Sequence, residues 1–415
     1  MTPIDVALAR IARHDAVLRA FTALDTENAR AAAAVSAQRI AAGTARALEG
    51  VTIGIKANIA VKGLATTAGV EARRDAIAAT DSAVVTRLRD AGAVILGHLN
   101  MHEAALGATT DNPAYGRTEN PHGIGRTPGG SSGGSGAAVA AGLCAVALGT
   151  DTLGSVRIPA AYNGVYGLKP SNGLVPDDGL VRLEPRLDCI GPLAASLADL
   201  AAVMAVLAPT GVAGRVTRVA KLAAVDAAPM EPAVRAGYNA AIAAVQRIGV
   251  TVANAATPGL DLGAVRTAGF IASARSAATI FAPDRATGGI SAGFARLLDI
   301  GLAATPESLA AGEATMAAAA AMLHKLLETH DLLLLPTAPQ VAFVHGRAPA
   351  TQADFTALAN IAGLPALSLP SGVDDAGLPV AVQIIGRAGD DATLLAFAAL
   401  LDAELAAYRR LSDFD

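Results

Sequence analysis

Residues Gly129 to Gly136 are all glycine or serine, in the order Gly-Gly-Ser-Ser-Gly-Gly-Ser-Gly. Glycine adopts backbone shapes, and tolerates close approaches, that a Cβ forbids. Such a run is either a flexible linker or a tightly built turn. The following residues separate these alternatives. Ala137 to Gly149 is apolar, and Ala137-Ala138-Val139-Ala140-Ala141 reads as a buried helix. Next comes Thr150-Asp151-Thr152-Leu153-Gly154-Ser155-Val156-Arg157, a second turn with its own serine. A linker separates domains, whereas this run feeds directly into a buried segment. Two serine-bearing turns joined by a short buried helix describe a built site.

The rest of the chain bounds what that site serves. It has 415 residues, 53% hydrophobic and 16% charged, enough for a large core. Length alone suggests two or three domains. No internal repeat or long linker divides the sequence, so one domain over residues 1–415 is expected. The net charge of −4 carries no basic footprint for nucleic acid. Aromatics make up 3% and tryptophan is absent, which argues against base-stacking platforms. Cys144 and Cys189 lie in apolar surroundings and read as buried thiols without metal spacing. The first twenty residues carry Asp5 and Asp15 and do not resemble a signal peptide. No run of about 18 uncharged apolar residues occurs, so no membrane span is expected. The expectation is a soluble, cytoplasmic protein.

Strand and helix patterns alternate along the chain. Residues 3–43 are helical in pattern. Leu48 to Ile55 alternates as a strand ending at Lys56, and Ala93 to Gly97 is a short buried strand. Asp81-Ser82 is placed to cap a helix over 81–91. Residues 171–192 read as an irregular loop and 260–330 as mostly helical. Asp331 to Pro336 reads as a buried strand, and Ala366 to Ile385 as two strands around Asp375-Ala376-Gly377. This order predicts an α/β fold whose sheet is covered by helices on both faces.

Three residues in this frame support acyl transfer. Lys56 ends an apolar strand, and a lysine works as a base only when burial or nearby positive charge depresses its pKa. The bland alternative is a surface lysine with its stem laid along apolar surface. Lys62 is the competing choice among only five lysines. Ser131 sits in the glycine-rich turn. Ser155 follows Thr152-Leu153-Gly154, where successive N–H groups can converge on one oxygen as an oxyanion hole. One such donor is worth about 3 kcal/mol in the transition state. For most serines taken singly, the ordinary role is to cap or turn the chain.

Rival chemistries leave weaker traces. Gly129-x-Ser131-x-Gly133 and Gly130-x-Ser132-x-Gly134 both match the nucleophile elbow of α/β-hydrolases, with Asp331 and His345 as downstream partners. Any Gly/Ser-rich run produces that match. No Gly-Lys-Ser/Thr follows the loop, so a P-loop is not supported. His98 and His102 are four apart without forming the zinc-protease motif.

Lys56, the Gly/Ser turn and Ser155 together resemble the amidase signature family. The resemblance spans nearly the whole chain. It includes Gly54-Ile55-Lys56-Ala57-Asn58-Ile59, Leu99-Asn100-Met101-His102-Glu103, Pro128 to Ser135, Gly149-Thr150-Asp151-Thr152 and Gly167-Leu168-Lys169-Pro170. Late segments join it: Leu333 to Pro339, Ala359 to Pro365, Gly377-Leu378-Pro379 and Gln383-Ile384-Ile385-Gly386. The resemblance implies a Ser–cis-Ser–Lys triad. Ser155 would be the nucleophile, Ser131 the bridging serine after a cis peptide, and Lys56 the base. Backbone N–H groups of Thr152, Leu153, Gly154 and Ser155 would hold the oxyanion. Ser132 and Arg157 would support the site or contact substrate. For Arg157, a structural pair with Asp151 is favoured over a substrate carboxylate. The implied fold has a mixed, mostly parallel central sheet between helical layers, and no metal or cofactor is implied.

Three positions depart from the family pattern. Ala57 stands where many members have Asp, and Gly136 replaces a common Ala. Leu153 replaces the usual Gly; its N–H survives, but its side chain narrows or redirects the pocket. Relatives resembling allophanate and carboxybiuret hydrolases also lack that glycine, which hints at a ureide-like substrate. The expected activity is hydrolysis of a small carboxamide or ureide-like amide through a serine acyl-enzyme. The alternative is the amide-cleaving subunit of a larger assembly, like an amidotransferase or carboxybiuret hydrolase. The short N-terminal stretch and Leu153 argue against a component of a tRNA amidotransferase. A homodimer or a small partner subunit fits either reading.

Overall fold

The computed structural model describes residues 2–209 and 211–414. Its centre is an eleven-stranded sheet. From edge to edge the strands are Phe21–Leu24, Val94–Leu99, Thr52–Lys56, Val146–Asp151, Cys189–Ala194, Tyr166–Lys169, Ala366–Val373, Pro379–Ile385, Leu332–Pro336, Arg218–Leu222 and Thr251–Ala255. The sheet is mixed, as expected. Parallel pairing joins Val94–Leu99, Thr52–Lys56 and Val146–Asp151 near one side. It also joins Leu332–Pro336, Arg218–Leu222 and Thr251–Ala255 at the other. The middle is antiparallel, so parallel pairing covers less of the sheet than the strand–helix alternation suggested. The 366–385 hairpin contributes to this: Asp374 to Leu378 close a short turn, which only antiparallel neighbours allow.

Helices cover both faces. Ile53 and Ile55 enter one face with Leu148 and Ile384, beneath Leu200 and Val203 of helix Leu197–Leu207 and Phe397 of helix Asp391–Leu405. Both isoleucines are fully buried, worth roughly 1.5–3 kcal/mol each. Successive strand side chains point to opposite faces, so Lys56 is turned away from Ile55, towards the side of the Gly/Ser turn. There Ala137 and Ala138 of helix Gly133–Ala140 pack with Leu96 and Leu99.

The N-terminal segment departs from the single helical reading. Helix Pro3–Leu18 ends at Arg19, whose φ of 51° is left-handed. The Asp15 carboxylate then accepts from the backbone of Ala20 at 2.8 Å and Phe21 at 3.3 Å. Phe21–Leu24 becomes an edge strand, and helix resumes at Thr26–Ala41. The alanine-rich pattern hid this break because the stop is made by one side chain's bonds. Ser82 caps helix Ala83–Asp90 as expected, accepting from Val85 N at 3.4 Å. Residues 260–330 hold helices Leu262–Ile280, Ala282–Ala286, Ala292–Ala303 and Pro306–Thr329. Among the described residues, no helix is long and apolar enough to cross a membrane. Cys144 and Cys189 are free and buried.

Candidate active site

Gly129 to Ser135 is wholly buried, so the run is not a linker. Glycine is needed there for close packing. A Cβ on Gly130 would lie 2.6 Å from Thr109 N, and one on Gly134 2.6 Å from Asn100 N. Thr110 braces the turn: its hydroxyl donates to Gly129 O at 2.8 Å and accepts from Gly133 N at 3.0 Å. The Gly130–Ser131 peptide is cis. His102 N donates to Ser131 O at 3.0 Å from behind.

The C-terminal end of strand Thr52–Lys56 delivers Lys56 to this turn. Its Nζ is fully buried, 2.7 Å from Ser131 Oγ and 2.7 Å from Thr150 Oγ1, with Thr150 O at 3.4 Å. Burial lowers the Lys56 pKa to about 7, against the opposing pull of Asp188 and then Asp151. A neutral amine has two N–H donors and one lone pair. Thr150 offers two acceptors, which leaves the lone pair to the Ser131 hydroxyl. Asn58 Nδ2 also donates to Thr150 Oγ1 at 3.2 Å. Thr150 is thus the anchor of the lysine, a role its place in the sequence did not reveal.

The two serine turns meet where Ser132 N donates to Ser155 O at 3.2 Å. Ser132 Oγ bridges Thr150 O and Thr150 N, each at 3.2 Å, so it ties the two turns together. Ser155 lines a cavity of about 450 Å³ with Thr152 and Leu153. The turn before Ser155 is folded around the Asp151 carboxylate, which accepts from Gly154 N at 2.7 Å and Val156 N at 3.2 Å. The Gly154 amide is therefore committed inside the turn, which takes it out of the expected set of oxyanion donors. The amides of Thr152, Leu153 and Ser155 lie outside these bonds. Gly154 has φ +130°, and Thr356 occupies the space a Cβ would need. Thr356 also donates to Leu153 O at 2.7 Å, holding the turn from the other side.

Arg157 is fully buried and turned away from the cavity lining. Its guanidinium donates to both Asp151 oxygens at 3.0 Å, to Gln383 Oε1 at 2.7 Å and to Asn360 Oδ1 at 2.5 Å. This is the structural pairing of the two alternatives. Burial pushes the Asp151 pKa up, but Arg157 and Asn360 outweigh it and hold the carboxyl at about 2. Arg157 is therefore not placed to meet a substrate carboxylate. Asn360 and Gln383 come from distant late segments, and only the fold brings them here.

Leu153 is half-buried at the cavity wall. Its side chain packs on Gly269 of helix Leu262–Ile280, where an added Cβ would lie 2.8 Å from Leu153 Cδ2. The leucine is thus accommodated by a missing side chain opposite. The remaining wall includes Leu106, Ile158, Leu183, Phe270 and Leu297.

The rival partners are scattered. Asp331 accepts from Thr217 and Arg218 and pairs with Arg387 at 3.1 Å. His345 faces Glu119 at 3.4 Å. Neither reaches the Gly/Ser turn, so these residues form no α/β-hydrolase triad. His98 is held between Ile59 O and Ala65 O, whereas His102 Nδ1 faces Thr109. Lys62 lies outside the site, its backbone N–H donating to Asp81.

Comparison with known proteins identifies the family and the fold. The Amidase family profile matches residues 4–395. The A subunit of the glutamyl-tRNA(Gln) amidotransferase from Anaeromyxobacter sp. (strain K) is 35% identical, over 97% of this chain and 92% of that protein. A chain from a vestigial protein complex, described as revealing the evolutionary origins of an s-triazine catabolic enzyme, superposes with TM-score 0.89 at 30% identity. That match covers 99% of this chain and 97% of the other. 6-Aminohexanoate cyclic dimer hydrolase, solved with its substrate, gives TM-score 0.89 at 27% identity over 99% and 95% of the two chains. A profile match over almost the full length, on a fold these enzymes share, places the chain in the amidase signature family.

Proposed function

We propose that the chain hydrolyses the carbon–nitrogen bond of a small amide through an acyl-enzyme on Ser155. The observation that carries this reading is Lys56: buried, 2.7 Å from Ser131 Oγ, with its pKa lowered to about 7. Neutral Lys56 takes the Ser131 proton as Ser131 takes that of Ser155. Ser155 Oγ then attacks the carbonyl carbon, and the oxyanion is held by the amides of Thr152, Leu153 and Ser155. Collapse breaks the C–N bond, and the leaving nitrogen receives the proton back along Ser131. Water then attacks the acyl ester by the same route and frees the acid.

Arg266 is the one charged side chain among the described residues lining the cavity, and Asp354 binds it at 2.6 Å. The rest of the wall supports a carboxamide with an apolar substituent over a wholly polar ureide. A second setting for the same chemistry, as one component of a larger assembly, draws support from the name of the Anaeromyxobacter relative.

Release of ammonia or amine by the purified chain over a panel of amides tests both. Turnover by the chain alone, highest on amides with apolar substituents, is the expected result. Turnover only after partner subunits are added selects the second setting. The pH dependence is a further expectation. Lys56 is protonated and idle below its pKa, so acylation rises as pH increases through about 7 and then levels off. A rate flat from pH ~5 to ~9, with acylation limiting, would remove Lys56 as the base.

A further inference from the structure

Asp188 lies in the stretch that reads as irregular loop, and nothing in its local sequence marks it. In the fold it occupies the junction between the oxyanion turn and the cavity wall. Its Oδ1 accepts from Thr152 Oγ1 at 2.6 Å. Its Oδ2 accepts from Leu183 N at 2.7 Å and Glu184 N at 3.2 Å. Thr152 supplies an oxyanion-side amide, and Leu183 forms part of the wall beside Ser155. One carboxylate thus ties both to the start of strand Cys189–Ala194, which pairs with the strand ending at Asp151. The residue is half-buried: one side borders a cleft with Ser171, Asn172 and Arg186, while both carboxylate oxygens are engaged within the fold.

We propose that Asp188 is a positioning residue for amide cleavage, fixing Thr152 of the oxyanion turn and the Leu183 wall while setting the field at Lys56. Asp188 touches no reacting atom and acts through these three neighbours. The inference rests on the reading of Lys56 and Ser155 as base and nucleophile.

The charges around Lys56 are few. Asp188 acts on it more strongly than Asp151, and Asp151 is already neutralised by Arg157. His102 is a further titratable neighbour among the described residues; burial lowers its pKa to about 4, so it is neutral where Lys56 titrates. Lys169 lies beyond, on the Asp151 and Cys189 side, and burial lowers its pKa as well. Glu184, four residues before Asp188 in the loop, is bound to Arg186. Burial raises the Asp188 pKa to about 6, while Thr152 Oγ1 on one oxygen and the N–H groups of Leu183 and Glu184 on the other favour the carboxylate form. A carboxylate there favours the charged lysine and holds the Lys56 pKa up. Removing that charge while keeping the shape must therefore lower it.

The test follows the rate at which a fluorophosphonate probe labels Ser155, as a function of pH, in the full-length chain. This readout needs no identified substrate. In Asp188→Asn the acid limb is expected to shift to lower pH by about half a unit or more, with a lower plateau. A merely structural role would lower the plateau and leave the midpoint in place. Thr152→Val is expected to lower the plateau about tenfold, the size of one lost hydrogen bond, and Thr152→Ser to restore most of it. Packing alone would predict that Ser, which also loses the methyl, does no better than Val. An unmoved midpoint in Asp188→Asn overturns the proposal. If Asp188→Asn does not fold, equal rates for Thr152→Val and Thr152→Ser overturn it. Absence of Ser155 labelling in the unmodified, folded chain is a different failure, that of the acyl-enzyme reading itself.

Discussion

Ser155→Ala and Lys56→Ala are each expected to lower turnover by about 10⁴-fold or more, because the proposed mechanism makes them coupled members of one catalytic unit. Ser131→Ala is expected to be similarly severe, since Ser131 is the group in contact with the lysine amine. Lys56→Met keeps much of the buried stem and removes only the amine, so it separates catalysis from packing. Circular dichroism and melting curves on each variant show that the fold is intact. His345→Ala serves as the contrast. It lies against Glu119, away from the serines, and its effect stays under about tenfold, a barrier change below about 1.4 kcal/mol. Near-normal turnover in a folded Lys56→Met, alongside a dead histidine variant, would reject the mechanism despite the family match.

Arg157→Ala costs roughly 3–5 kcal/mol of stability. The reason is the partner left behind. Asp151 is fully buried, and its carboxyl is held at about 2 largely by Arg157 and Asn360. Without the guanidinium, that carboxylate is a charge in a dry interior, and Gln383 and Asn360 each lose a donor. The turn before Ser155 is wound on the same carboxylate, so activity is expected to fall with stability. Arg157→Lys recovers little, because an ammonium lacks the planar fork that meets four acceptors at once. Urea unfolding of the three proteins measures this directly. Unchanged stability with a raised KM would instead make Arg157 a substrate contact.

Much of the site is legible along the chain because its parts are local. The Gly/Ser run, the Thr150–Arg157 turn and the strand leading to Lys56 each carry their signal within a few residues. Glycines mark where backbones crowd, and the apolar strand points to burial of its terminal lysine, which the fold then decides over the surface alternative. Elsewhere the same local reading failed for identifiable reasons. The edge strand Phe21–Leu24 was hidden in a helical pattern because Asp15, not the strand's own residues, stops the helix. Gly154 was counted among the oxyanion donors, yet its amide is spent on Asp151 three residues away.

The sequence by itself determined the local vocabulary: an apolar strand ending in a lysine, two serine turns and the motifs that carry the family resemblance. Binary patterning and glycine placement suffice for the strand and the turns, since both act over one element at a time. What only the tertiary structure decided is which distant groups close on that site. Arg157 meets Asn360 and Gln383 across more than 200 residues. Leu153 fits because Gly269 leaves space for it. Thr152 leans on Asp188 from an otherwise irregular loop. Such contacts depend on how the sheet orders its strands and how the helices pack over it. A buried polar group must find its partner wherever the fold places one, and sequence distance does not enter that requirement.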